Sequence, residues 1–419
     1  MKNITNTFKF TAIALVVATA LVGCTQDKKN SNEATPAKQT SPKTLTSKDA
    51  QIFLDEVATE KVQISLDSNR AEWIYNNFIT EDTASLYAEV DQKSTEAGVR
   101  FAMQAATFDD VKVTPTQRRQ LNILKQSLVL PAPQDSTKSA ELAKIGAELG
   151  SIYGKGNYTT KTGKKLSLGD MTSTMATSRD YDELLEMWQG WREISPSMKP
   201  LYTRQAELAN EGANGLGYKD LGAMWRSNYD MPADDFAKEL DRLWGQVKPL
   251  YDDLHCYVRS ELGKQYGTDK VPQDKPIPAH LLGNMWAQSW GNIYDVVAPD
   301  NADPGYDVTK QLAAHDYDEI KMVKGAEKFF TSLGFDALPE TFWTRSLFTK
   351  PADRDVICHA SAWDLDAKDD LRIKMCIQKT GEEFSVIHHE LGHNFYQRAY
   401  KEQPVYFQNS ANDGFHEAI

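Results

Sequence analysis

Residues 380–404, TGEEFSVIHHELGHNFYQRAYKEQP, hold the pattern on which the reading of the whole chain turns. Thr380 with Glu383 is a helix-start signature, Phe384, Ile387, Leu391 and Phe395 recur at helical spacing, and Pro404 closes the segment. Within this helix His389-Glu390-Leu391-Gly392-His393 is an H-E-x-x-H motif. Residues four apart share a helix face, so His389 and His393 can bind one zinc ion while Glu390 reaches a neighbouring water as general base. Alone, the motif would arise by chance in roughly one such chain in a hundred. A third ligand must come from another element. Glu417 is the natural candidate, on a short helix that Asn412 or Asp413 would cap; the plain alternative is an acidic residue favoured in a first turn by the helix dipole.

Upstream of this helix the pattern changes. Leu371, Ile373, Met375 and Ile377 alternate with Arg372, Lys374 and Cys376, a period of two that predicts a half-buried strand, with Asp355 to Ser361 as its partner across a turn near Lys368 to Asp370. Cys358 and Cys376 then sit on neighbouring strands and are expected to form a disulfide worth on the order of 3 kcal/mol in an oxidising compartment. Most of the remaining chain reads as helix, from Thr46 and Ser47 onward, with loops at 130–133, 154–165, 267–278 and 299–305. Cys256 is expected to be a buried helix residue, and Trp188 and Trp191 to belong to the core.

Composition narrows the partners. Lys plus Arg number 47 against 59 Asp plus Glu, a net charge of −12 that excludes a phosphate-backbone ligand and so nucleic acid. The apolar run from Phe10 to Gly23, behind Lys2 and Lys9, is too short to span a bilayer and reads as a secretory leader over residues 1–23. Leu21-Val22-Gly23-Cys24 resembles a bacterial lipobox, which implies Cys24 as the lipidated first residue of the mature protein; the plain alternative is an ordinary cleaved leader with Cys24 incidental. Thr25 after it leans the sorting towards the outer membrane, facing the periplasm, with the lipid at Cys24 as the membrane contact. Residues 24–45 are a polar tether, and the body is expected over 46–419.

The motif followed by Gly414-Phe415-His416-Glu417-Ala418-Ile419 resembles the zinc site of the angiotensin-converting enzyme family, the peptidyl-dipeptidases A. Met175-Ala176-Thr177-Ser178-Arg179, Trp225-Arg226-Ser227-Asn228-Tyr229, PAHLLGNMWAQSWGNIYD at 278–295 and CHASAWD at 358–364 resemble further blocks of that family. The resemblance implies an all-α fold: one large helical body with a deep channel, a lid formed by the early helices, and a small β hairpin next to the zinc helix.

It also implies roles, residue by residue. His389, His393 and Glu417 match the zinc ligands, and Glu390 matches the base that takes a proton from the attacking water and passes it to the leaving amine. His359, with the backbones of Ala360 and Ala362, matches the strand that holds an extended oligopeptide substrate, and Gln288 matches part of the clamp on the substrate's C-terminal carboxylate. Arg192 and Tyr229 match chloride-site residues, which adds chloride to zinc as an expected ion, and Cys358 and Cys376 match a family disulfide. The plain alternatives are a core histidine at 359, a surface amide at 288, and structural hydrogen bonds at 192 and 229.

The implied activity is zinc-dependent release of C-terminal dipeptides from oligopeptides. The family carries a further portion beyond the third ligand, with a His and a Tyr for the tetrahedral intermediate, so a chain with Ile419 two residues after Glu417 reads as a fragment with little activity of its own. The alternatives are a non-catalytic, surface-tethered peptide- or metal-binding protein and a thimet-type oligopeptidase. His388 and His416 flank the ligands and receive no role.

Overall fold

Thr46, Thr80 and Thr114 open the first three helices by one device. Each threonine hydroxyl accepts a bond from the backbone N–H three residues on, and the side chain there, of Asp49, Thr83 or Gln117, bonds back to the threonine N–H. The computed structural model of the protein describes residues 44–303 and 305–418. The expected leader over 1–23, Cys24 and nearly all of the tether lie outside the described residues.

The helices that follow these caps are α1 (Ser47–Asn77), α2 (Glu81–Ala106) and α3 (Pro115–Gln126), then α4 (Ser136–Gly154). The first three pack through Leu54, Val57, Phe101, Phe108 and Leu121, while α4 packs through Leu142 and Ile145 with Val99 and Leu208; Tyr406, far along the chain, is buried in the first of these clusters and donates to the Leu54 carbonyl at 2.6 Å. A short hairpin, β1 (Asn157–Thr159) with β2 (Lys165–Ser167), occupies the stretch expected as a loop. Strands of three residues are too short to leave a readable alternation.

The middle of the chain builds a second core from α5 (Leu168–Thr177), α6 (Tyr181–Trp191), the C-terminal end of α9 (Ala233–Tyr266) and the segment from Val271 to Ile293. Trp191 is buried there and Trp188 packs against it, as expected. Between them run α7 (Ser195–Gly215) and α8 (Leu221–Ser227). Cys256 corrects the sequence reading: it is exposed. The buried side of α9 is set by Val258 and Leu262, and two residues back along a helix is about 200° around it, which turns Cys256 outward.

The third core carries the site. After α10 (Tyr294–Val297), which packs on the second core through Val296 and Val297, it is made by α11 (Val308–Ala314), α12 (Glu319–Ser332), α13 (Glu340–Arg345), β3 (Ser361–Asp364), β4 (Leu371–Lys374) and α14 (Gly381–Tyr400), with α15 (Asp413–Glu417) beyond. Phe330, Phe342, Leu371, Ile373, Met375, Ile387, Leu391 and Phe395 are its buried side chains. The fold is therefore all-α, with two small antiparallel hairpins, and Leu45 onward forms one compact unit. Among the described residues no helix is long and apolar enough to cross a membrane.

The hairpin beside α14 exists, but its first strand is displaced from the expected place. Ser361–Asp364 pairs with Leu371–Lys374, in the register Ala362 opposite Ile373. Asp355 and Ile357, expected in that strand, bond instead to the junction of α1 and α2: Ile79 N–H donates to the Asp355 carbonyl at 3.1 Å and Ile357 N–H to the Asn76 carbonyl at 2.9 Å. Cys358 and Cys376 form the expected disulfide, with Cα atoms 5.1 Å apart.

His280 is the acid-sensitive point of the second core. It is 5% exposed, its ring meets Tyr181 edge-on, and its Nε2 has no hydrogen-bond partner among the described residues. Burial lowers its pKa to about 4, against a weaker opposing pull from Asp182. The unfolded chain takes up this proton near pH 6.5 while the folded chain resists until about 4, so protonation favours unfolding and stability falls as pH drops through that interval, by on the order of 3 kcal/mol. Urea titrations at pH 7 and pH 4.5 should show a smaller acid loss for His280→Gln than for the parent; equal losses would contradict this.

Candidate metal centre

The apolar stripe of α14 fixes which way its polar side faces. Ile387, Leu391 and Phe395 are buried against Phe330 and the strand β4, and Thr380 caps the start by accepting from the Glu383 N–H at 3.2 Å. The reciprocal bond from Glu383 that the sequence signature promised is not formed; burial keeps that carboxyl protonated more readily, pushing it up to about 7. With this rotation set, His389 and His393 lie on one side of the helix and α15 brings Glu417 to them.

The three candidate ligands converge. One donor atom from each of His389, His393 and Glu417 lies within 4.8 Å of the others. The two Nε2 atoms are 3.0 Å apart, and the Glu417 carboxylate oxygens lie 3.3 Å from His389 Nε2 and 4.0 Å from His393 Nε2. Zn–N and Zn–O bonds of about 2.0–2.2 Å in a tetrahedron place ligand atoms about 3.3–3.5 Å apart, so this set brackets the required spacing. Two imidazole nitrogens facing each other at 3.0 Å also need a proton or a cation between their lone pairs. The donor set and its spacing fit zinc.

The electrostatics favour ligation at neutral pH. Burial first, then the His389 and His416 rings, hold His393 below its ordinary pKa, which keeps its lone pair available. His416 is the residue the sequence reading passed over: its Nδ1 lies 2.7 Å from Nδ1 of His393, and its Nε2 lies 3.3 Å from the Tyr400 hydroxyl. It therefore orients a ligand from behind, as outer partners of metal-bound histidines do. Its place immediately before Glu417 was the available signal, since the residue beside a ligand on a short helix is carried to the same ring.

Glu390 is 6% exposed on the same helix. Burial pushes its carboxyl up to about 7, Glu417 adds to the rise, and the Lys374 ammonium opposes it. A carboxyl with that balance can both accept and return a proton near neutrality. Beside it stands β3. The far edge of β4 is already used, because Leu347 N–H donates to the Ile373 carbonyl and Met375 N–H to the Leu347 carbonyl. So β3, with Ala362 in it and Ala360 just before it, is the edge strand of this sheet. His359 precedes it, exposed, and partial desolvation with the Lys374 charge holds its pKa down.

Gln288 lies in a loop that is tied to the start of α14 in a way the sequence hid. Asn284 and Asn292, on either side of it, both donate to the carboxylate of Glu382 in the first turn of α14, at 3.3 and 3.0 Å. Ala287 just before it has φ 56, the left-handed region, and Gly283 has φ 73 with Asn292 Cβ 2.9 Å from where a side chain would start. Gln288 itself is exposed. Arg192 and Tyr229 have separate surroundings. The Arg192 guanidinium lies 3.7 Å over the Trp188 ring and donates to the carbonyls of Trp188 and Met285 at 2.9 Å each, while Tyr229 stacks on Phe236 at 4.0 Å. No contact among the described residues joins these two.

Comparison with known proteins gives one consistent result. The sequence profile of the angiotensin-converting enzyme family matches residues 44–419. The angiotensin-converting enzyme of Bos taurus is 40% identical over 377 residues, 88% of this chain and 29% of its own length; that of Rattus norvegicus is 39% identical over 83% of the chain and 27% of its own length. The leech protein of the same name, from Theromyzon tessulatum, is 37% identical over 89% of the chain and 61% of its own length. The chain thus spans under a third of the length of the first two relatives and about three fifths of the third.

Zinc titration against a competing chelator tests the centre. The protein should take up one zinc per chain, His393→Ala should abolish that uptake, and His416→Ala should weaken it about 10- to 100-fold. An unchanged affinity in His416→Ala would remove the orienting role assigned to that ring.

Proposed function

Because the chain belongs to the angiotensin-converting enzyme family, we propose that it carries the zinc ligands and general base of a peptidyl-dipeptidase that releases C-terminal dipeptides from oligopeptides. The observation that carries this reading is the meeting of His389, His393 and Glu417 on and beside a helix with a buried Glu390, packed against a hairpin whose β3 has no second strand partner among the described residues.

Each part has a task that follows from its chemistry. An extended peptide adds to β3 as a further strand, its backbone bonding to Ala360 and Ala362, and His359 lies at the entry to that strand. Gln288 donates to the free C-terminal carboxylate of the substrate, and an anchor at that end selects the bond two residues in. Zinc on His389, His393 and Glu417 supplies Lewis acidity towards the scissile carbonyl and acidifies water. Glu390 takes the proton from the attacking water and delivers it to the amine nitrogen of the departing dipeptide, which its place on the ligand helix next to the histidine pair suits. Chloride at Arg192 and Tyr229 belongs to the same reading; Arg192 is the better supported, as a half-buried cation whose pKa desolvation lowers.

The same reading places the body, residues 46–419, outside the cytoplasmic membrane of a bacterium, tethered by lipid on Cys24 through residues 24–45. The apolar run ending in Leu21-Val22-Gly23-Cys24 supports it, and so does the Cys358–Cys376 disulfide, which persists in an oxidising compartment.

Glu390→Gln is the direct test of the chemistry. It should lower dipeptide release about 100- to 10,000-fold while zinc content and peptide affinity stay near those of the parent, because the base acts on the attacking water and does not hold the metal. Because the chain alone is expected to have little activity, parent and variant are compared in a form extended over the family's further portion: equal release by the two, or a zinc-loaded extended parent that captures peptides and never cleaves them, would overturn the peptidase reading in favour of a binding module.

A further inference from the structure

Lys374 is the anomaly of the hairpin. It lies on the strand face that alternation marks as polar, yet it is 1% exposed and among the largest fully buried side chains of the protein. The reason is α1: Asn69 donates to the Asp364 carbonyl at 3.0 Å, and Trp73 packs on Trp363 and under the Arg372 guanidinium, so this helix roofs the second face of the sheet. An ammonium buried this way costs several kcal/mol unless it is bonded and accompanied by opposite charge. Lys374 has both. Its Nζ donates to the Ile357 and His359 carbonyls at 2.6 Å each, and the carboxylates of Glu390 on α14 and Glu72 on α1 act on it.

The two acceptor carbonyls have a meaningful place. They flank Cys358, whose partner Cys376 lies two residues beyond Lys374, and Lys374 is itself the register partner of Ser361. The backbone from Ile357 to Ser361 is therefore tied to β4 by a disulfide, a pair of charge-assisted hydrogen bonds and a strand pair. Ile357 N–H also donates to the Asn76 carbonyl at the α1–α2 junction. No other described residue hydrogen-bonds through its side chain to both carbonyls, so loss of the ammonium leaves the stretch between the Cys358 disulfide and the Ser361 strand pair, including the residue directly before Ala360, without its side-chain tie.

We propose that Lys374 is a positioning residue, whose buried ammonium fixes the backbone at Ile357 and His359 and thereby holds the edge strand at the height where a peptide is received. This rests on the reading of β3 as the peptide-binding strand. Lys374 touches no substrate; it acts by removing the freedom that the segment His359–Ala362 would otherwise lose on binding. A hydrogen bond to a charged donor resists exchange for water more than a neutral one, so a methionine of similar length would fill the space without setting the strand.

The experiment compares Lys374→Met and Lys374→Arg, each combined with Glu390→Gln to prevent turnover, using a decapeptide with a free C-terminal carboxylate as probe. For Lys374→Met, the account expects peptide affinity to fall about tenfold or more with zinc content unchanged. Backbone amide exchange should quicken over Cys358–Ala362 and not over α14, and Lys374→Arg should recover part of both effects. Affinity within about twofold of the Glu390→Gln parent, with zinc retained, would overturn the proposal. If Lys374→Met does not fold, exchange in the unaltered protein decides: amides of Cys358–Ala362 protected before peptide is added support it, and protection that appears only with peptide overturns it. A parent that binds no peptide contradicts the peptidase reading instead, and the local exchange response to loss of the ammonium still decides whether Lys374 sets this strand.

Discussion

The rotation of α14 about its own axis is the constraint on which the site depends. Ile387, Leu391 and Phe395 each bury their side chains in one cluster, and burial of this kind contributes about 1.5–3 kcal/mol per residue. Turning the helix by one residue, about 100°, would expose that stripe, so the helix has one stable setting. Four-residue spacing then delivers His389 and His393 together, and Glu390, one step on, is carried to the buried side of the same edge. The chemistry is thus positioned by hydrocarbon packing that takes no part in it.

Around that helix the neighbouring parts are tied by polar links that cross long stretches of sequence. Glu382 draws in the loop carrying Gln288 through Asn284 and Asn292. Asn394, fully buried, donates to the Trp363 and Arg372 carbonyls at 3.3 Å and so connects α14 to both strands of the hairpin. Lys374 holds the approach to β3 from beneath. Glu382 is exposed, but Asn284, the Asn394 amide donor and the Lys374 ammonium are buried polar groups that would be costly if unpaired, which makes the arrangement specific as well as stable.

What was legible in the sequence follows from range. The α14 helix, its Thr380 cap and the histidine pair are local patterns that stand where they were read, while the alternation expected from Leu371 to Ile377 yields a strand only over Leu371–Lys374 and breaks at the buried Lys374. Glu417 was legible as a carboxylate on a short helix after the pair and through the family resemblance, and the structure brings it to the two histidines. The partner strand was misplaced because Asp355 and Ile357 satisfy their backbone groups on Asn76 and Ile79, almost 280 residues away in sequence, and no local pattern announces that. Lys374 looked solvated because alternation shows one face of a strand and says nothing about a helix laid across the other. Cys256 looked buried because its neighbours are apolar, but α9 buries little beyond Val258, Leu262 and Gly263. His416 needed the fold of α15 to become a partner of His393.

The central claim is that two imidazoles of α14 and the Glu417 carboxylate hold one zinc ion beside Glu390. X-ray absorption spectroscopy of the zinc-loaded protein addresses it most directly. The account predicts a shell of nitrogen and oxygen at about 2.0–2.2 Å with the multiple-scattering signature of two imidazoles, losing one of them in His389→Ala. A first shell that contains sulfur, or one with no imidazole signature, would contradict it.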